Sequence, residues 1–335
     1  MYDVAIVGAG PIGIELAVAL KQAQISVVHF DAGQIGSTIE WYAPGTTFFS
    51  SPERIAICGI PLEVAYQLKA TREDYLRYLR GVVRQFALKI RTYEKITAIL
   101  GENNCFKLRS AVAETCARKV VLAIGDMHQP RLLGIPGENL SHVSHYLKDP
   151  HTYFAKKVLI VGAKNSAAEA AIRLFRVGCE VTLSYHGAEI NFDKIKMWIA
   201  PELRNLIASG DINCLCNSRL QKITERKAFL LVDGKKQVHE FDFILLLSGY
   251  CQDSLLFERC GIQLSGPHKA PSFDPHTMET NIPGIFVAGT ACAGSQIATH
   301  SHFIETSHVH VPKIVAAITG SSGNLNEKRY LQPEI

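Results

Sequence analysis

The sequence contains no run of apolar residues that approaches the roughly 18 needed for a membrane-spanning helix. It also lacks a long basic run and a base-stacking motif, and its formal net charge is only +4. The usual signs of a membrane or nucleic-acid partner are therefore missing, and we expect neither. The first apolar strand begins at once, at residues 4–7, so we expect no signal peptide before it.

Paired cysteine motifs are scarce as well. The nine cysteines are scattered and odd in number, and no Cys-x-x-Cys pair occurs among them. Such a set is typical of reduced thiols in a cytosol and does not indicate a disulfide framework. We therefore expect a cytoplasmic protein.

What the sequence does contain is a glycine turn directly after the first apolar strand. Gly8 permits a tight turn, Gly10 lets a pyrophosphate approach the backbone, and Gly13 allows close packing of helix on strand. Pro11 suits the first turn of that helix. Asp31 ends the next strand, near the spacing expected for a carboxylate that binds ribose hydroxyls. This segment predicts one dinucleotide site.

A second turn of the same kind begins at Gly162, again after an apolar run. Lys164 replaces the second glycine and can contribute a positive charge to phosphates. Asn165 and Ser166 are residue types that often cap a helix, and Gly178 is placed to end this helix. Two such units in one chain indicate two dinucleotides, a flavin and a nicotinamide.

The nicotinamide cofactor is predicted to be NADPH, with NADH as the alternative. No acidic residue follows the strand at 180–184, where the adenosine ribose of NAD would be held. His186, Lys194 and Lys196 can attract a 2′-phosphate there. The alternative is that these three basic residues are simply exposed to solvent, because no arginine stands where a 2′-phosphate is usually bound.

Two buried strands mark the limits of the domains. The apolar segments 119–125 and 243–249 each end in a glycine, and a third strand follows the turn at 281–284. We predict an α/β fold with two Rossmann-like, three-layer dinucleotide-binding domains. The NAD(P)H-binding domain, 128–249, is inserted in an FAD-binding domain of 1–127 plus 250–320. Residues 321–335 form a polar C-terminal tail.

A helix is predicted to start at Thr71, outside the two glycine turns. Asp74 is placed for a capping interaction with Thr71, and one face of the helix carries the apolar residues Tyr75, Leu76, Leu79, Val82, Val83 and Phe86. We expect this face to pack in the core.

Several segments resemble known flavoproteins over nearly the whole chain. The two turns, the strand ends at 123–125 and 248–250, and residues 283–289 resemble the thioredoxin reductase-like flavoproteins. More narrowly, residues 47–51, 142–146, 162–167 and 278–281 resemble the bacillithiol disulfide reductase family. The resemblance implies a homodimer in which hydride passes from NADPH to FAD and electrons then reach a small oxidised acceptor.

The resemblance also implies the residues that hold each cofactor. Those implied for FAD are Gly8, Gly10, Pro11, Ile12, Gly13, Asp31, Ala32, Gly33, Thr47, Phe48, Ile96, Ile124, Gly125, Gly289 and Thr290. Those implied for NADPH are Gly162, Lys164, Asn165, Ser166, Ala167, Glu169, Tyr185, His186, Ser248 and Gly249.

Two departures from these families concern cysteine. Thioredoxin reductases carry a Cys-x-x-Cys pair, and the nearest spacing here, 214–216, is too short to copy it. Bacillithiol disulfide reductases place a cysteine within the first glycine turn, where this chain has Ile12. A disulfide acceptor normally needs a thiolate to attack it. Cys58 and Cys292 are the candidate substitutes, and His145 is a further candidate in the linker segment.

Four histidines near the C-terminus form two His-x-His pairs, at residues 300/302 and 308/310. Residues two apart on a helix point to nearly opposite faces, so the four would not converge on a metal. We predict no metal site. We expect these histidines to cap a helix, to pack in the core or to lie on the substrate side of the site.

The preferred function is an NADPH- and FAD-dependent reductase of a small oxidised molecule, and the expected acceptor is a low-molecular-weight thiol disulfide. A flavin-dependent monooxygenase is an alternative, because residues 142–167 also resemble that class. A ferredoxin-type protein reductase is another, and a non-catalytic flavin redox sensor is the third.

Overall fold

The computed structural model describes residues 1–102, 104–296 and 302–321. Within these residues the chain forms two compact units. The first contains the described parts of 1–41, 45–129 and 250–321, and the second contains 42–44 and 130–249. The predicted tail at 321–335 lies outside the described residues except for its first position. The assignment of these units to FAD and NAD(P)H stays a prediction.

Strands and helices alternate along much of the chain. The strands are β1 (Tyr2–Val7), β2 (Val27–Phe30), β3 (Ile90–Arg91), β4 (Ala98–Glu102), β5 (Cys105–Arg109), β6 (Glu114–Leu122), β7 (Gln129–Pro130), β8 (Val143–Ser144), β9 (Lys157–Val161), β10 (Glu180–Ser184), β11 (Ile212–Leu215), β12 (Ser218–Ile223), β13 (Lys227–Val232), β14 (Lys235–Glu240), β15 (Phe243–Leu246), β16 (Tyr250–Cys251), β17 (Leu264–Ser265), β18 (Ala270–Pro271) and β19 (Ile285–Val287). The helices are α1 (Pro11–Gln22), α2 (Ser37–Glu40), α3 (Pro52–Ile55), α4 (Arg72–Gln85), α5 (Asn165–Arg176), α6 (Ala200–Ala208), α7 (Leu255–Arg259), α8 (Ile304–Ser307) and α9 (His310–Thr319).

The first unit is built on a sheet with the strand order β3-β2-β1-β6-β5-β4. Strands β3, β2, β1 and β6 are parallel, whereas β5 and β4 continue antiparallel. Strand β6 is long enough to pair with β5 through its first half and with β19 through its second half. The predicted closing strand near 285 therefore returns the chain to this sheet.

The core of the first unit consists of strands that are buried along most of their length. Residues 4–7 and 120–122 are buried in succession, which is typical of parallel strands covered on both faces. Helix α1 packs against them through Leu16 and Leu20, which are inaccessible to solvent. Packing of this kind holds the end of β1 and the start of α1 in one place.

The second unit repeats the arrangement in a shorter form. Its sheet has the order β11-β10-β9-β15-β8, and every neighbouring pair is parallel. Helix α5 follows β9 and buries an alanine-rich face, and the antiparallel strands β12, β13 and β14 form a separate small sheet. The predicted α/β class with two Rossmann-like regions is confirmed.

The start of α5 differs from the prediction in one respect. Lys164 is the N-cap residue, and no side-chain capping hydrogen bond is made there. Asn165 is the first helical residue, and its side-chain oxygen accepts the backbone N–H of Lys196 at 2.8 Å. The predicted capping role of Asn165 is wrong because the amide is used to hold a later loop. Gly178 follows the helix with a φ of +85°, as expected of a C-terminal glycine.

Helix α4 begins with the predicted capping interaction. The hydroxyl of Thr71 accepts the backbone N–H of Asp74 at 3.1 Å, and the Asp74 carboxylate accepts the backbone N–H of Thr71 at 3.1 Å. Of the six residues predicted for the core face, Tyr75, Leu79 and Val82 are buried, whereas Leu76, Val83 and Phe86 are only partly buried. No helix among the described ranges is long and apolar enough to cross a membrane.

We expect Thr71→Ala to lower the free energy of unfolding by about 1 kcal/mol, because α4 loses an N-terminal acceptor. The measurement is urea unfolding of the purified protein. Asp74→Ala and the double variant complete a cycle, in which the double variant should cost less than the sum of the single ones because the two residues act together. Strictly additive losses would contradict a reciprocal cap.

Candidate functional site

The first glycine turn is built by two close backbone approaches. A Cβ at Gly8, whose φ is +112°, would overlap the carbonyl oxygen of Ala123. A Cβ at Gly13 would overlap the carbonyl oxygen of Gly8 itself. Both positions therefore exclude any side chain, and the start of α1 lies against the end of β1.

Gly10 differs from its two neighbours because its surroundings are open. No heavy atom lies within 4 Å of the point where its Cβ would stand, and its φ of −74° suits any residue. Helix α1 starts directly afterwards, at Pro11, with its first backbone N–H groups free of helical partners. An open backbone beside a helix N-terminus fits a pyrophosphate.

Asp31 lies at the end of β2, beside this turn. Its carboxylate accepts the backbone N–H of Ala9 at 2.5 Å and that of Gly33 at 2.7 Å. Burial raises the pKa of the Asp31 carboxyl, and the hydrogen bonds from Ala9, Gly33 and Ser37 act in the opposite direction. The group thus joins the β2 end to the turn, at the position where a ribose carboxylate belongs.

His29 also connects β2 to the turn. Its Nε2 donates to the carbonyl oxygen of Gly8 at 2.8 Å, and the ring is buried. Burial lowers the pKa of His29 to about 4, so the ring is neutral near pH 7. This bond was not anticipated from the sequence, where His29 stands out only as a polar residue within an apolar strand.

The carboxyl ends of β6 and β19 lie at the same edge of the sheet, because the two strands are parallel neighbours. Gly125 follows β6 and Gly289 follows β19. The side-chain amide of Gln252 donates to the carbonyl oxygens of Gly125, at 2.8 Å, and Ala291, at 3.1 Å. Its own Oε1 is buried and has no partner among the residues that the structure describes.

Gln252 was not among the predicted site residues. In the sequence, Gln252 is marked only by its position shortly after the strand end at 248–250. A buried amide oxygen without a partner is uncommon in proteins. At the edge that carries the first glycine turn, this oxygen supports binding of a polar ligand such as a flavin dinucleotide.

The loop predicted to contact the flavin is anchored to the start of α4. Thr47 forms an isolated bridge with Thr71, and the backbone N–H of Phe48 donates to the carbonyl oxygen of Ala70 at 2.8 Å. The Phe48 ring lies 4.6 Å from that of Tyr75, measured between centroids. Ile96, also predicted for the flavin, is buried in the core of the first unit.

Ile12 is buried against the strand end that precedes Gly289. A Cβ at Gly289 would lie 3.5 Å from the Cβ of Ile12, which is ordinary contact. The side chain is 6% exposed. A hydrocarbon therefore occupies the place where the resembling family keeps a thiol, and it cannot attack a disulfide.

Neither candidate cysteine in the first unit lies in surroundings that favour its thiolate form. Burial, and then the charge of Glu15, raise the pKa of Cys58 to about 12. Cys292 is buried, and burial raises the pKa of its thiol as well. Its Sγ lies 4.0 Å from Nδ1 of His310, which already accepts the backbone N–H of Gly289 at 3.1 Å. Thiolate is the nucleophilic form, so both environments disfavour attack on a substrate.

His145 faces a carboxylate of the second unit. Its Nε2 lies 3.8 Å from Oε1 of Glu138. Glu138 in turn accepts the backbone N–H groups of Leu133 and Gly134, at 2.7 and 2.8 Å. This geometry supports a role in holding the 133–145 segment.

The C-terminal histidines have different hydrogen-bond partners, although the rings of His302 and His310 lie 6.1 Å apart between centroids. His308 lies 2.7 Å from Glu15 through Nδ1 and 3.0 Å from the carbonyl oxygen of Arg54 through Nε2. His310 accepts from Gly289, as above, and the backbone N–H of His302 donates to Gln296. The remaining member, at position 300, lies outside the described residues. No group of three metal-ligating side chains occurs within 1–102, 104–296 and 302–321.

The second glycine turn copies the first with different residues. Gly162 has a φ of +135°, and a Cβ there would approach the carbonyl oxygen of Leu247 and lie 3.3 Å from the Cβ of Ala167. After β15, Gly249 has a φ of +101°, and the hydroxyl of Ser248 donates to the carbonyl oxygen of Arg131 at 2.7 Å. The turn and the strand end are thus held close together.

Positive charge gathers at the start of α5. Burial lowers the pKa of Lys164, and the nearby charges of Lys194 and Arg131 lower it further. Arg131 is an arginine that the sequence prediction did not identify, since it lies in a loop 33 positions before Lys164. Three cations beside a helix N-terminus favour a phosphorylated ligand.

Two further predicted residues of this unit have partners of their own. Glu169 is largely buried, burial raises its pKa, and its carboxylate lies 3.7 Å from Arg173. Tyr185 and His186 follow β10 with ring centroids 4.7 Å apart.

The two turns, their cations and their strand ends define a class of protein. Residues 5–289 match the family described as pyridine nucleotide-disulphide oxidoreductase. The chain belongs to this family of oxidoreductases, whose members use FAD and a pyridine nucleotide. The predicted enzyme class is confirmed.

Particular relatives narrow the resemblance. The chain is 33% identical over 316 residues to bacilliredoxin reductase Bdr of Bacillus subtilis strain 168, covering 93% of this chain and 96% of that protein. The structure of bacillithiol disulfide reductase Bdr from Staphylococcus aureus matches with a TM-score of 0.89 at 30% identity, covering 96% and 99% of the two chains. The likeness to the bacillithiol disulfide reductases, predicted from short segments, is confirmed.

More distant relatives carry other names. A ferredoxin–NADP reductase of Granulibacter bethesdensis is 28% identical over 304 residues, covering 86% of this chain and 81% of that protein. Thioredoxin reductase from T. acidophilum has a TM-score of 0.74 at 18% identity, covering 95% and 98% of the two chains, which shows the shared fold.

Gly10→Ala and Gly13→Ala form a matched pair for the first turn. We expect Gly13→Ala to lower the unfolding temperature of the flavin-free protein, because the methyl group overlaps the Gly8 carbonyl. Gly10→Ala should leave that temperature nearly unchanged and weaken FAD binding by at least about tenfold, because the methyl group enters the open phosphate position. Thermal unfolding and FAD titration measure the two effects. Equal FAD affinity in Gly10→Ala and wild type would contradict this placement.

Proposed function

We propose that this protein is an NADPH-dependent FAD enzyme that reduces a low-molecular-weight thiol disulfide. The overall reaction is RSSR + NADPH + H⁺ → 2 RSH + NADP⁺. The observation that carries the proposal is the near-full-length likeness to the bacilliredoxin and bacillithiol disulfide reductases, and the two glycine turns of this chain agree with it. Bound FAD would supply the redox centre between the nicotinamide and the disulfide.

The first unit is proposed to hold FAD at the edge formed by its parallel strand ends. Gly10 and the N-terminus of α1 bind the pyrophosphate, and Asp31 orients the adenosine ribose. Gln252 offers a buried oxygen to a donor on the cofactor. The other FAD contacts proposed are Gly8, Pro11, Ile12, Gly13, Ala32, Gly33, Thr47, Phe48, Ile96, Ile124, Gly125, Gly289 and Thr290.

The second unit is proposed to hold NADPH in preference to NADH. Lys164, Lys194 and Arg131 supply positive charge beside α5, and β10 ends without an acidic residue that would repel a 2′-phosphate. Tyr185 and His186 follow β10, at the adenosine side of such a site. The remaining contacts proposed are Gly162, Asn165, Ser166, Ala167, Glu169, Ser248 and Gly249.

The acceptor step is proposed to proceed without a protein thiol at position 12. Ile12 offers no sulfur, and the raised pKa values at Cys58 and Cys292 oppose thiolate formation. His145 is engaged with Glu138 in the second unit. The protein's contribution is then to bind the disulfide in an apolar setting and to exclude water around it.

The proposal extends to assembly and location. The family resemblance supports a homodimer, which sedimentation of the purified protein would measure. The scattered, odd set of nine cysteines supports a reducing cytoplasm.

The decisive experiment combines flavin identification with anaerobic reduction. The purified protein should release FAD on denaturation, and NADPH should bleach the bound flavin faster than NADH does. Bacillithiol disulfide should then restore the oxidised spectrum with release of two thiols per NADPH. A flavin that NADPH fails to bleach would contradict the enzyme and support a non-catalytic redox sensor. Stoichiometric hydroxylated product with oxygen would support a monooxygenase instead.

A ferredoxin-type reductase is the second candidate, favoured by the ferredoxin–NADP reductases among the relatives. The absence of a thiol at position 12 is compatible with one-electron transfer to a protein acceptor. Reoxidation by a reducible ferredoxin that slows with added salt would support electrostatic docking. If the disulfide reoxidises the reduced flavin and ferredoxin does not, the ferredoxin-type reductase is excluded.

Lys194→Gln tests the choice of nucleotide. We expect it to raise the KM for NADPH by about tenfold and to leave the KM for NADH nearly unchanged, because only NADPH carries the 2′-phosphate that the cation attracts. Lys157→Gln is the control, since Lys157 is an exposed lysine at the start of β9, paired with Glu180 at 3.5 Å. Equal changes for both nucleotides would contradict a 2′-phosphate contact.

Replacement of Cys58 and Cys292 by serine tests the thiol-free route. We expect the double variant to reduce the disulfide substrate with a kcat within about twofold of wild type, because neither group is a ready thiolate. Steady-state kinetics with full FAD loading measure it. If the double variant no longer reduces the disulfide while NADPH still bleaches its flavin normally, Cys58 or Cys292 takes part in the reaction.

A further inference from the structure

Two cysteines of the second unit lie in contact at the end of a strand. Cys214 belongs to β11, and Cys216 directly follows Leu215, the last residue of this strand. Their Sγ atoms are 3.8 Å apart, and both residues are partly exposed. The pair plays no part in the proposed reduction of substrate.

A bend of the chain keeps these thiols together. Residues two apart on a strand point to the same face, and Asn217 then turns the chain into β12 with a φ of +46°. A disulfide has an S–S distance of about 2.05 Å, so the sulfur atoms need to approach by about 1.8 Å. Rotation of the side chains with a small shift of the intervening residue achieves this.

The segment that contains the pair also holds the loop after β10. The backbone N–H of Tyr185 donates to the carbonyl oxygen of Leu215 at 2.9 Å. The backbone N–H groups of Asn217 and Ser218 donate to the carbonyl oxygens of Gly187 and Tyr185, each at 2.8 Å. Leu215 stands between the two cysteines, so joining their sulfur atoms displaces its carbonyl group and loosens the 185–187 loop.

We infer that Cys214 and Cys216 form a reversible disulfide that weakens NADPH binding by the second unit. The inference rests on the proposed function, because it takes the 185–187 loop as the adenosine side of the nucleotide site. The pair then acts as a redox-sensitive modification site, and nucleotide affinity follows the ratio of disulfide to thiol around the enzyme.

The oxidant is a low-molecular-weight disulfide, RSSR, the same chemical class as the proposed substrate. The Cys216 thiolate attacks one sulfur, forms a Cys216–SR mixed disulfide and releases RS⁻, which takes up the proton that Cys216 lost. Cys214 then loses its proton and attacks the Cys216 sulfur, the bond to SR breaks, and the second RSH leaves. The two cysteines have given up two electrons and two protons, and RSSR has become 2 RSH.

The order of these steps follows from the surroundings of the two thiols. Burial and the neighbouring Cys216 raise the pKa of Cys214 from its ordinary value, so Cys216 attacks first and Cys214 resolves the mixed disulfide. A disulfide closed across a single residue is strained, and strained accessible disulfides are readily reduced. The released thiol therefore reopens the pair when disulfide becomes scarce.

The first part of the test maps the bond. The flavin-loaded protein is incubated with glutathione disulfide, blocked with N-ethylmaleimide, digested and weighed by mass spectrometry. We expect the peptide containing residues 214–216 to lose two hydrogens and to escape alkylation, and dithiothreitol to restore both thiols. Cys214→Ser and Cys216→Ser should abolish the bond, whereas Cys105→Ser, a change at an exposed cysteine of β5, should not. Failure to detect the bond in wild type would overturn the inference.

The second part measures NADPH binding by titration of the same samples. Oxidation should raise the Kd for NADPH by about tenfold in wild type and Cys105→Ser. It should leave the Kd unchanged in the Cys214→Ser/Cys216→Ser double variant, which has no thiol at either position to form a disulfide or a mixed disulfide. A mapped bond with unchanged affinity would overturn the coupling. Reduced protein that binds no NADPH would overturn the proposed function and the coupling together, and the mass map would still decide whether the disulfide forms.

Discussion

The close approach of α1 to β1 is the constraint on which the first glycine turn, and with it the proposed FAD site, depends. Gly13 lies against the carbonyl of Gly8, and Gly8 lies against the carbonyl of Ala123, so neither position has room for a methyl group. These approaches point the first N–H groups of α1 to the edge where β1, β2, β6 and β19 end. Asp31, His29 and Gln252 then hold the edge by hydrogen bonds.

Short-range patterns in the sequence were enough to predict this turn and its copy at Gly162, because strand, turn and helix follow one another within a few residues. The same holds for the cap at Thr71 and Asp74. Contacts between distant segments were not predictable in this way. Gln252 reaches Gly125 across 127 positions of the chain, and Arg131 influences Lys164 only because the fold brings their loops together. Asn165 is a residue type suited to capping α5, but its side chain binds the backbone N–H of Lys196 instead.

The chemistry of the cysteines also depends on surroundings that residue type does not reveal. Cys58 and Cys292 follow segments that the sequence predicts to contact the flavin. Burial nevertheless disfavours the thiolate form of both. Ile12 places an apolar group at the position of the family's thiol. The relatives and the two nucleotide turns support reduction of a small disulfide, and the local chemistry indicates that this chain reaches it by a different route from a thiol at position 12.

The pairing of β6 with both β1 and β19 has a consequence for synthesis on the ribosome. The second unit is formed almost entirely by 130–249, so its sheet can assemble as soon as that stretch has emerged. The sheet of the first unit cannot be completed until β19, at Ile285–Val287, has been made. Until then the second half of β6 keeps an open edge, and the proposed flavin site lacks one wall. The second unit therefore completes its sheet before the first, although it lies in the middle of the sequence.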